Sequence, residues 1–171
     1  DKKVDIIFIS SPTNTHIKFI EEGIKYKKTI FCEKPLDLNI GKIIKTFKKV
    51  KKNKSKIQLG FNRRYDPGHH SIKMDLDKNK IGRLEKIIIT KSSGGIFRDM
   101  MIHDFDLCRF YLKNDEISEI SSSATSFEPF YRKIKDHELA TVIMKSKKGV
   151  ICVITNSRHC SFGYDQRVEL F

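Results

Sequence analysis

Residues 4–14, VDIIFISSPTN, place a nearly continuous apolar run directly before a turn that suits the start of a helix. An apolar run without alternation is typical of a strand that is covered on both faces of a sheet. Ser11, Pro12 and Asn14 supply turn and helix-capping chemistry. We therefore predict a strand over residues 4–10, followed by a turn and a helix.

The same order of strand and helix continues up to the third strand of the chain. Residues 29–33 form a second apolar run, which ends where Lys34-Pro35 favours extended backbone. Asp37 is predicted to cap the helix that follows, and residues 56–61 form the third strand. Short connections between alternating strands and helices are typical of a parallel, doubly wound α/β sheet.

Polar residues follow each of these predicted strands. Ligands of such sheets bind beyond the carboxyl ends of the strands. Ser11-Pro12, Glu33-Lys34 and Asn62-Arg63 lie at these ends, so we expect them to converge although they are far apart in sequence. Lys34 is the strongest candidate for chemistry there, because a lysine beside a bound ligand can exchange a proton with it. An exposed loop lysine in a lysine-rich chain is the simpler alternative.

Beyond this sheet the pattern changes. A helix is predicted over residues 67–77, and a strand over 83–91 leads through Gly94-Gly95 into a helix over 96–112. Further strands are predicted near residues 117–127, 139–145, 150–158 and 166–171. Successive strands without helices between them favour an α+β domain with a mostly antiparallel sheet, and we place the domain boundary near residues 62–66.

The helix predicted over residues 96–112 combines acidic residues with a histidine. Asp99 and His103 are four residues apart, so they share a helical face and their side chains can touch. A carboxylate beside an imidazole fixes its tautomer and raises its basicity, as a general base requires. A structural or surface pair is the simpler alternative. A metal site of Asp99, His103 and Asp106 stays open, although the sequence places no second histidine to complete it.

The charge of the chain raises the question of nucleic acid. Among 171 residues, 34 are Lys or Arg and 21 are Asp or Glu, which gives a net charge of +13. The densest basic run, residues 42–56, interleaves lysine with apolar residues at helical spacing, which is typical of the exposed face of an amphipathic helix. It offers neither arginine forks nor aromatic platforms for bases. We therefore expect no nucleic-acid partner.

Other classes are also disfavoured. The sequence contains no apolar run of about 18 residues that would predict a membrane span, and no secretory signal precedes the first strand. The four cysteines form no C-x-x-C pair, which favours reduced, packed thiols over a zinc site. We expect a cytoplasmic protein without a membrane partner.

Five segments occur in an order that resembles a known family. They are SPTNTH (11–16), FCEKPL (31–36), GFNRRYD (60–66), GGIFRDMMIHDFD (94–106) and GYDQRVE (163–169). Together they resemble the glucose-fructose oxidoreductase and inositol dehydrogenase family, and within it the inositol 2-dehydrogenases. The resemblance covers almost the whole chain.

The resemblance implies NAD-dependent oxidation of a secondary alcohol of a cyclic polyol, of the myo-inositol type, to a ketone. It implies that His103 accepts the hydroxyl proton, that Asp99 orients His103, and that Lys34 hydrogen-bonds the reacting oxygen. The positions that line the cofactor or lie near it in the family correspond to Ser11, Pro12, Asn14, His16, Glu33 and Arg64. Tyr164 matches a position near the polyol substrate, and the resemblance implies no catalytic metal.

The resemblance also implies a division of labour between two domains. Residues 1–62 would be the C-terminal part of a Rossmann-type, NAD-binding sheet. Residues 63–171 would form the α+β domain that binds substrate and pairs subunits into a homo-oligomer through its sheet.

The chain departs from the family in three places. The glycine-rich turn that binds the pyrophosphate is absent, the connection from Lys91 to Gly94 is short, and the final strands are missing. The acidic residue that reads the ribose would precede Asp1, so NADP stays open beside NAD. We therefore expect a fragment that is inactive by itself and belongs to an active enzyme. The alternative is a degenerate family member that acts as a binding or scaffold protein.

Overall fold

The computed structural model of the chain describes residues 2–92, 96 and 100–171. The chain divides into two compact units, Asp1–Phe61 and Asn62–Phe171, which we call the N-terminal unit and the C-terminal unit. Each unit has its own sheet and its own cluster of buried apolar residues.

The N-terminal unit alternates strand and helix, as predicted. Its elements are β1 (Ile6–Ile9), α1 (Thr13–Lys25), β2 (Thr29–Cys32), α2 (Ile40–Lys52) and β3 (Ile57–Leu59). The strands lie in the order β1-β2-β3, and both pairs are parallel. The buried apolar side chains of this unit are Ile9, Ile20, Ile24, Ile30, Cys32, Leu36 and Val50.

The start of α2 corrects one prediction. The side chain of Asn39 accepts a hydrogen bond from the backbone N–H of Lys42 at 3.1 Å, so Asn39 is the N-cap. Asp37 instead accepts a hydrogen bond from the backbone N–H of Asn39 at 2.8 Å. The prediction that Asp37 caps this helix is therefore wrong, because Asp37 forms a local turn two residues before the true cap.

The C-terminal unit begins with a short 3-10 helix (Asn62–Tyr65) and contains the remaining helices and strands. These are α3 (Pro67–Asp77), β4 (Lys86–Ser92), α4 (Met101–Leu112), β5 (Ile117–Thr125), α5 (Pro129–Lys133), β6 (Leu139–Ser146), β7 (Ile151–Ser157) and β8 (Asp165–Leu170). The sheet order is β5-β6-β7-β4-β8. Only the β4–β7 pair of the described strands in this sheet is parallel.

One face of this sheet carries the core of the unit. Ile87 and Ile89 on β4 alternate with half-buried residues and are fully buried, and they cluster with Leu107 and Cys108 of α4. Lys91 continues the same alternation and is only 1% exposed. In the alternating pattern of β4, a lysine therefore occupies a buried position that faces the core.

The predicted fold class is confirmed: a parallel Rossmann-type sheet is followed by a mixed, mostly antiparallel sheet with helices. The helix predicted over residues 67–77 is present as α3. The helix predicted over residues 96–112 is represented by α4, while Gly94, Gly95 and Asp99 lie outside the described residues.

Candidate active site

The first set of candidate residues lies at the carboxyl edge of the parallel sheet. Ile9 and Cys32 are in register across β1 and β2, and Cys32 is in register with Leu59 of β3. The next residues extend the ladder, because the N–H of Glu33 donates to the carbonyl of Ile9 at 2.9 Å and that of Gly60 donates to Cys32 at 2.8 Å. Polar residues that follow these strands therefore share one edge.

Glu33 lies directly against the end of β3. A Cβ atom built on Gly60 would be 2.8 Å from Glu33 Oε1, so only glycine leaves room for the carboxylate in this position. The other carboxylate oxygen accepts a hydrogen bond from the backbone N–H of Lys34 at 3.2 Å. Gly60 and Glu33 together fix the start of the turn that carries Lys34.

The turn after Glu33 is anchored on its far side as well. The Lys34–Pro35 peptide bond is cis, and Leu36 belongs to the apolar core with 5% exposure. Lys34 itself is half-buried. The candidate catalytic lysine therefore lies between two anchored residues at the edge of the sheet.

His16 occupies a different place from the other predicted cofactor residues. It is 1% exposed on α1, and its two ring nitrogens face backbone carbonyl oxygens. Nε2 lies 2.7 Å from the oxygen of Ser11, and Nδ1 lies 2.9 Å from the oxygen of Pro35. The two ring nitrogens of His16 thus face two different turns. Contact between His16 and a cofactor stays a prediction.

The remaining predicted residues of this unit surround the start of α1. Pro12 and Asn14 are exposed, and Ser11 is half-buried. The hydroxyl of Thr15 donates to the carbonyl of Pro12 at 2.7 Å and pairs with the hydroxyl of Ser11. Ser11, Asn14 and Thr15 therefore offer hydroxyl and amide groups after the carboxyl end of β1.

The second set of candidate residues is organised around α4. His103 is 8% exposed, and it is followed by two buried carboxylates, Asp104 and Asp106, which are 0% and 4% exposed. Asp99, the predicted partner of His103, lies outside the described residues. The helix thus carries a histidine beside two buried acids, and sequence reasoning gave neither acid a role in the dehydrogenase site.

Asp106 holds the predicted cofactor residue Arg64. The guanidinium donates from Nε and Nη2 to the two carboxylate oxygens at 2.7 and 2.6 Å, and it lies over the ring of Phe110. This bidentate hydrogen bonding to Asp106 raises the pKa of Arg64. The guanidinium of Arg64 is therefore oriented by Asp106 of α4. Contact between Arg64 and a cofactor stays a prediction.

Asp104 is the centre of a buried polar network. Asn156 Nδ2 donates to one carboxylate oxygen at 2.9 Å, and Lys91 Nζ lies 3.7 Å from the other. Burial raises the pKa of Asp104, and the nearby ammonium of Lys91 opposes that change. Sequence reasoning missed this network; its only signal was a lysine at a core position of an alternating strand.

The predicted substrate residue Tyr164 connects to this network. Arg63 Nη2 donates to the Tyr164 hydroxyl at 3.1 Å, and that hydroxyl donates to Gln166 Oε1 at 2.9 Å. Gln166 Nε2 lies 3.5 Å from Asp104. Tyr164 is 54% exposed, so a ligand can reach the ring while Arg63 and Gln166 orient its hydroxyl.

The described part of the chain offers neither a metal site nor a membrane-spanning helix. No cluster of three or more His, Cys, Asp or Glu side chains there could hold a metal ion. Among the same residues, no helix combines the length and the apolar character that crossing a bilayer requires.

Comparison with known proteins places these residues in a family. Residues 1–61 match the oxidoreductase family with an NAD-binding Rossmann fold, and residues 69–171 match the GFO/IDH/MocA C-terminal domain. The chain is 37% identical over 98% of its length to inositol 2-dehydrogenase of Rhizobium meliloti strain 1021. It covers 54% of that relative, so the chain spans about half the length of the curated relatives it matches.

Solved structures agree with this assignment. A myo-inositol dehydrogenase from Corynebacterium glutamicum superimposes with a TM-score of 0.90 at 37% identity, over 98% of this chain and 54% of that one. The scyllo-inositol dehydrogenase from Lactobacillus casei, solved with NAD(H) and scyllo-inositol, superimposes with a TM-score of 0.87 at 27% identity, over 99% of this chain and 55% of that one. The chain therefore belongs to the GFO/IDH/MocA family of oxidoreductases, with the Rossmann-fold and C-terminal domains of that family both represented.

Proposed function

We propose that the protein containing this chain is an NAD-dependent dehydrogenase that oxidises a secondary alcohol of a cyclic polyol, of the myo-inositol type, to a ketone. The observation that carries the proposal is the anchored Glu33-Lys34-Pro35 turn at the carboxyl edge of the parallel sheet. The similarity to an inositol 2-dehydrogenase over 98% of the chain supports the choice of substrate class.

The polar groups at this edge suit a dinucleotide. Ligands of open parallel sheets bind beyond the carboxyl ends of the strands. Ser11 and Asn14 offer hydroxyl and amide groups, and Glu33 offers a carboxylate that Gly60 allows to lie against the sheet. These groups can hydrogen-bond the hydroxyls and carboxamide of a nicotinamide nucleoside. We propose that Ser11, Pro12, Asn14 and Glu33 hold NAD, whose nicotinamide ring takes up hydride when it is bound.

The residues of this chain would move the proton and stabilise the charge. His103 accepts the proton of the substrate hydroxyl while the adjacent C–H bond breaks and its electron pair leaves with the hydride. The ammonium of Lys34 donates a hydrogen bond to the oxygen as negative charge develops on it. Asp99, four residues before His103 in sequence, would orient the imidazole. A C=O bond forms, and the product is a ketone.

Turnover assays on the full-length protein test this assignment. NADH formation is followed with myo-inositol, scyllo-inositol and glucose as substrates. We expect turnover with an inositol, and a fall of ~10²- to 10⁴-fold in kcat for Lys34→Met and His103→Asn. Lys48→Met and His70→Asn change exposed residues of the same types and serve as matched controls.

The same assay separates the alternatives. Wild-type kcat in either Lys34→Met or His103→Asn contradicts the assigned mechanism. If equilibrium dialysis shows that NAD binds but the assay detects no polyol oxidation, the degenerate binding protein is favoured instead.

We propose that the N-terminal unit binds the cofactor and that the C-terminal unit binds the polyol and pairs subunits. The face of the five-stranded sheet opposite α4 carries Ile88, Ile143 and Val153, of which Ile143 is 47% exposed. An apolar sheet face of this kind is suited to association with a second copy. Ile143→Lys is expected to lower the mass measured by light scattering, and an unchanged mass contradicts this interface.

We also propose a cytoplasmic location, since the NAD pool that the reaction consumes is intracellular. Cell fractionation of the native host tests this, and recovery outside the cytoplasmic fraction contradicts it.

A further inference from the structure

We propose that His16 is a positioning residue for Lys34, and not a ligand of the cofactor. The inference rests on the proposed function in one respect, that Lys34 acts on the reacting oxygen. It concerns how the chain fixes the backbone on either side of this lysine.

The geometry of His16 joins two turns that are distant in sequence. One ring nitrogen faces the carbonyl of Ser11, five residues before it, and the other faces the carbonyl of Pro35, 19 residues after it. Ser11 belongs to the turn after β1, and Pro35 belongs to the turn after β2. His16 therefore connects the ends of two neighbouring parallel strands from its place on α1.

The chemistry of imidazole makes this connection selective. A neutral ring donates to one of the two carbonyls, and a doubly protonated ring donates to both. The two ring nitrogens of His16 lie 2.7 and 2.9 Å from two carbonyl oxygens that belong to different turns. Because the ring is 1% exposed, replacing it removes a donor from at least one of these part-buried carbonyls.

Among the described contacts, three lie along the turn that contains Lys34. Its amide is held by the carboxylate of Glu33, the carbonyl of the following Pro35 by His16, and the side chain of Leu36 by the apolar core. The His16 contact connects the part of the turn after Lys34 to the turn after β1, whereas Glu33 is bonded to β1 before Lys34. A displacement of about 1 Å at a catalytic group can cost on the order of 10²-fold in rate, so this tie has a direct consequence for turnover.

Variants of His16 in the full-length protein distinguish positioning from cofactor binding. His16→Phe keeps a ring of similar size and removes both contacts, while His16→Gln keeps a polar amide. We expect kcat to fall by ~10- to 100-fold in His16→Phe and by less in His16→Gln, with little change in the Kd for NAD. If instead the Kd for NAD rises and kcat is unchanged, His16 is a cofactor residue and the proposal is overturned.

A second readout does not depend on activity or on any ligand. Hydrogen exchange of the ligand-free protein is measured by mass spectrometry for the peptide that covers Glu33 to Leu36. We expect faster exchange there in His16→Phe than in Ile20→Val, which perturbs the buried face of the same helix without removing a hydrogen bond to the turn. Equal exchange in the two variants overturns the proposal.

The two readouts also separate this inference from the proposed function. An inactive wild-type protein whose turn loosens in His16→Phe would contradict the dehydrogenase and leave the positioning role intact. An active wild-type enzyme whose kcat and turn are both unchanged in His16→Phe contradicts the positioning role alone.

Discussion

The two units hold their candidate residues by different means. In the N-terminal unit, strand register, a glycine and backbone carbonyls determine where Glu33 and Lys34 lie. In the C-terminal unit, carboxylates of α4 hold side chains from other segments: Asp106 binds Arg64, and Asp104 binds Asn156. The first arrangement is built from the main chain, and the second from charge.

The buried residues show the same difference. The apolar core is formed by seven described residues in the N-terminal unit and by 14 in the C-terminal unit. Lys91, Asp104 and Asp106 are nevertheless buried in the larger unit. A large apolar core supplies the free energy that burying these charges requires. The comparison therefore predicts that the N-terminal unit is sensitive to lost apolar contacts and the C-terminal unit to lost charge partners.

Truncation of a core residue has the largest expected effect. Ile30→Ala and Leu107→Ala each remove side chains that are fully buried, and each should cost about 2–5 kcal/mol of unfolding free energy. Because its core is smaller, the N-terminal unit should lose hydrogen-exchange protection in Ile30→Ala, whereas the C-terminal unit keeps protection in Leu107→Ala. Equal loss of protection in both units would remove the distinction.

The Arg64–Asp106 pair should respond asymmetrically to substitution. Arg64→Met leaves a carboxylate that is 4% exposed without its partner, with an expected cost of about 3 kcal/mol. Asp106→Leu leaves a guanidinium that is 36% exposed and can be hydrated, with a cost of about 1 kcal/mol. Urea unfolding of the single variants and the double variant measures this. Equal losses of unfolding free energy in the two single variants would contradict the view that charge partners hold this site together.

His69 should make the stability of the C-terminal unit depend on pH, with an effect smaller than those of the preceding substitutions. Burial lowers the pKa of His69 below its ordinary value of 6.5, and its Nδ1 lies 2.8 Å from the hydroxyl of Tyr111. Between the lowered pKa and 6.5 the unfolded chain binds a proton that the native state does not, so stability falls as the pH decreases through this range.

Thermal unfolding between about pH 7.5 and about pH 5.5 tests this effect. The decrease in Tm should be shallower in His69→Asn than in the wild type, while His70→Asn, at an exposed neighbouring position, should follow the wild type. The prediction is wrong if both variants have the wild-type slope.

An exposed ion pair in the N-terminal unit should matter least. Lys49 and Glu21 join α2 to α1 at 2.6 Å, with side chains 54% and 43% exposed. Water screens such a pair, so Lys49→Met should change the unfolding free energy by less than ~0.5 kcal/mol. A loss several times larger, measured by urea unfolding, would show that charge also holds the N-terminal unit.

Sequence reasoning was most successful where the main chain determines position. The apolar runs and the Lys34-Pro35 step predicted the strand ends, because periodicity and proline chemistry are local. The pair of Arg64 with Asp106 was missed, since its partners are 42 residues apart and neither is unusual in its own segment. Lys91 was missed for the same reason: the carboxylate near its ammonium, Asp104, belongs to α4, a different element of the unit.

The contacts of His16 could not be read from the sequence either. Its position in SPTNTH suggested a cofactor residue, but the contacts that occupy its ring are to carbonyl oxygens, which every residue carries. When a side chain contacts a backbone carbonyl, the residue that supplies the carbonyl can be of any type, so the sequence does not reveal the contact. Such contacts become visible only once the two turns are placed in space.

The proposed hydride transfer from a polyol carbon to NAD can be followed by labelling the polyol with deuterium. The full-length protein is incubated with NAD and with myo-inositol or scyllo-inositol that carries deuterium on its ring carbons, and the NADH is analysed by NMR. We expect deuterium at the nicotinamide C4 position, at a rate reduced ~10²- to 10⁴-fold in Lys34→Met. Absence of deuterium at C4 with both inositols, in protein shown to bind NAD, would contradict it.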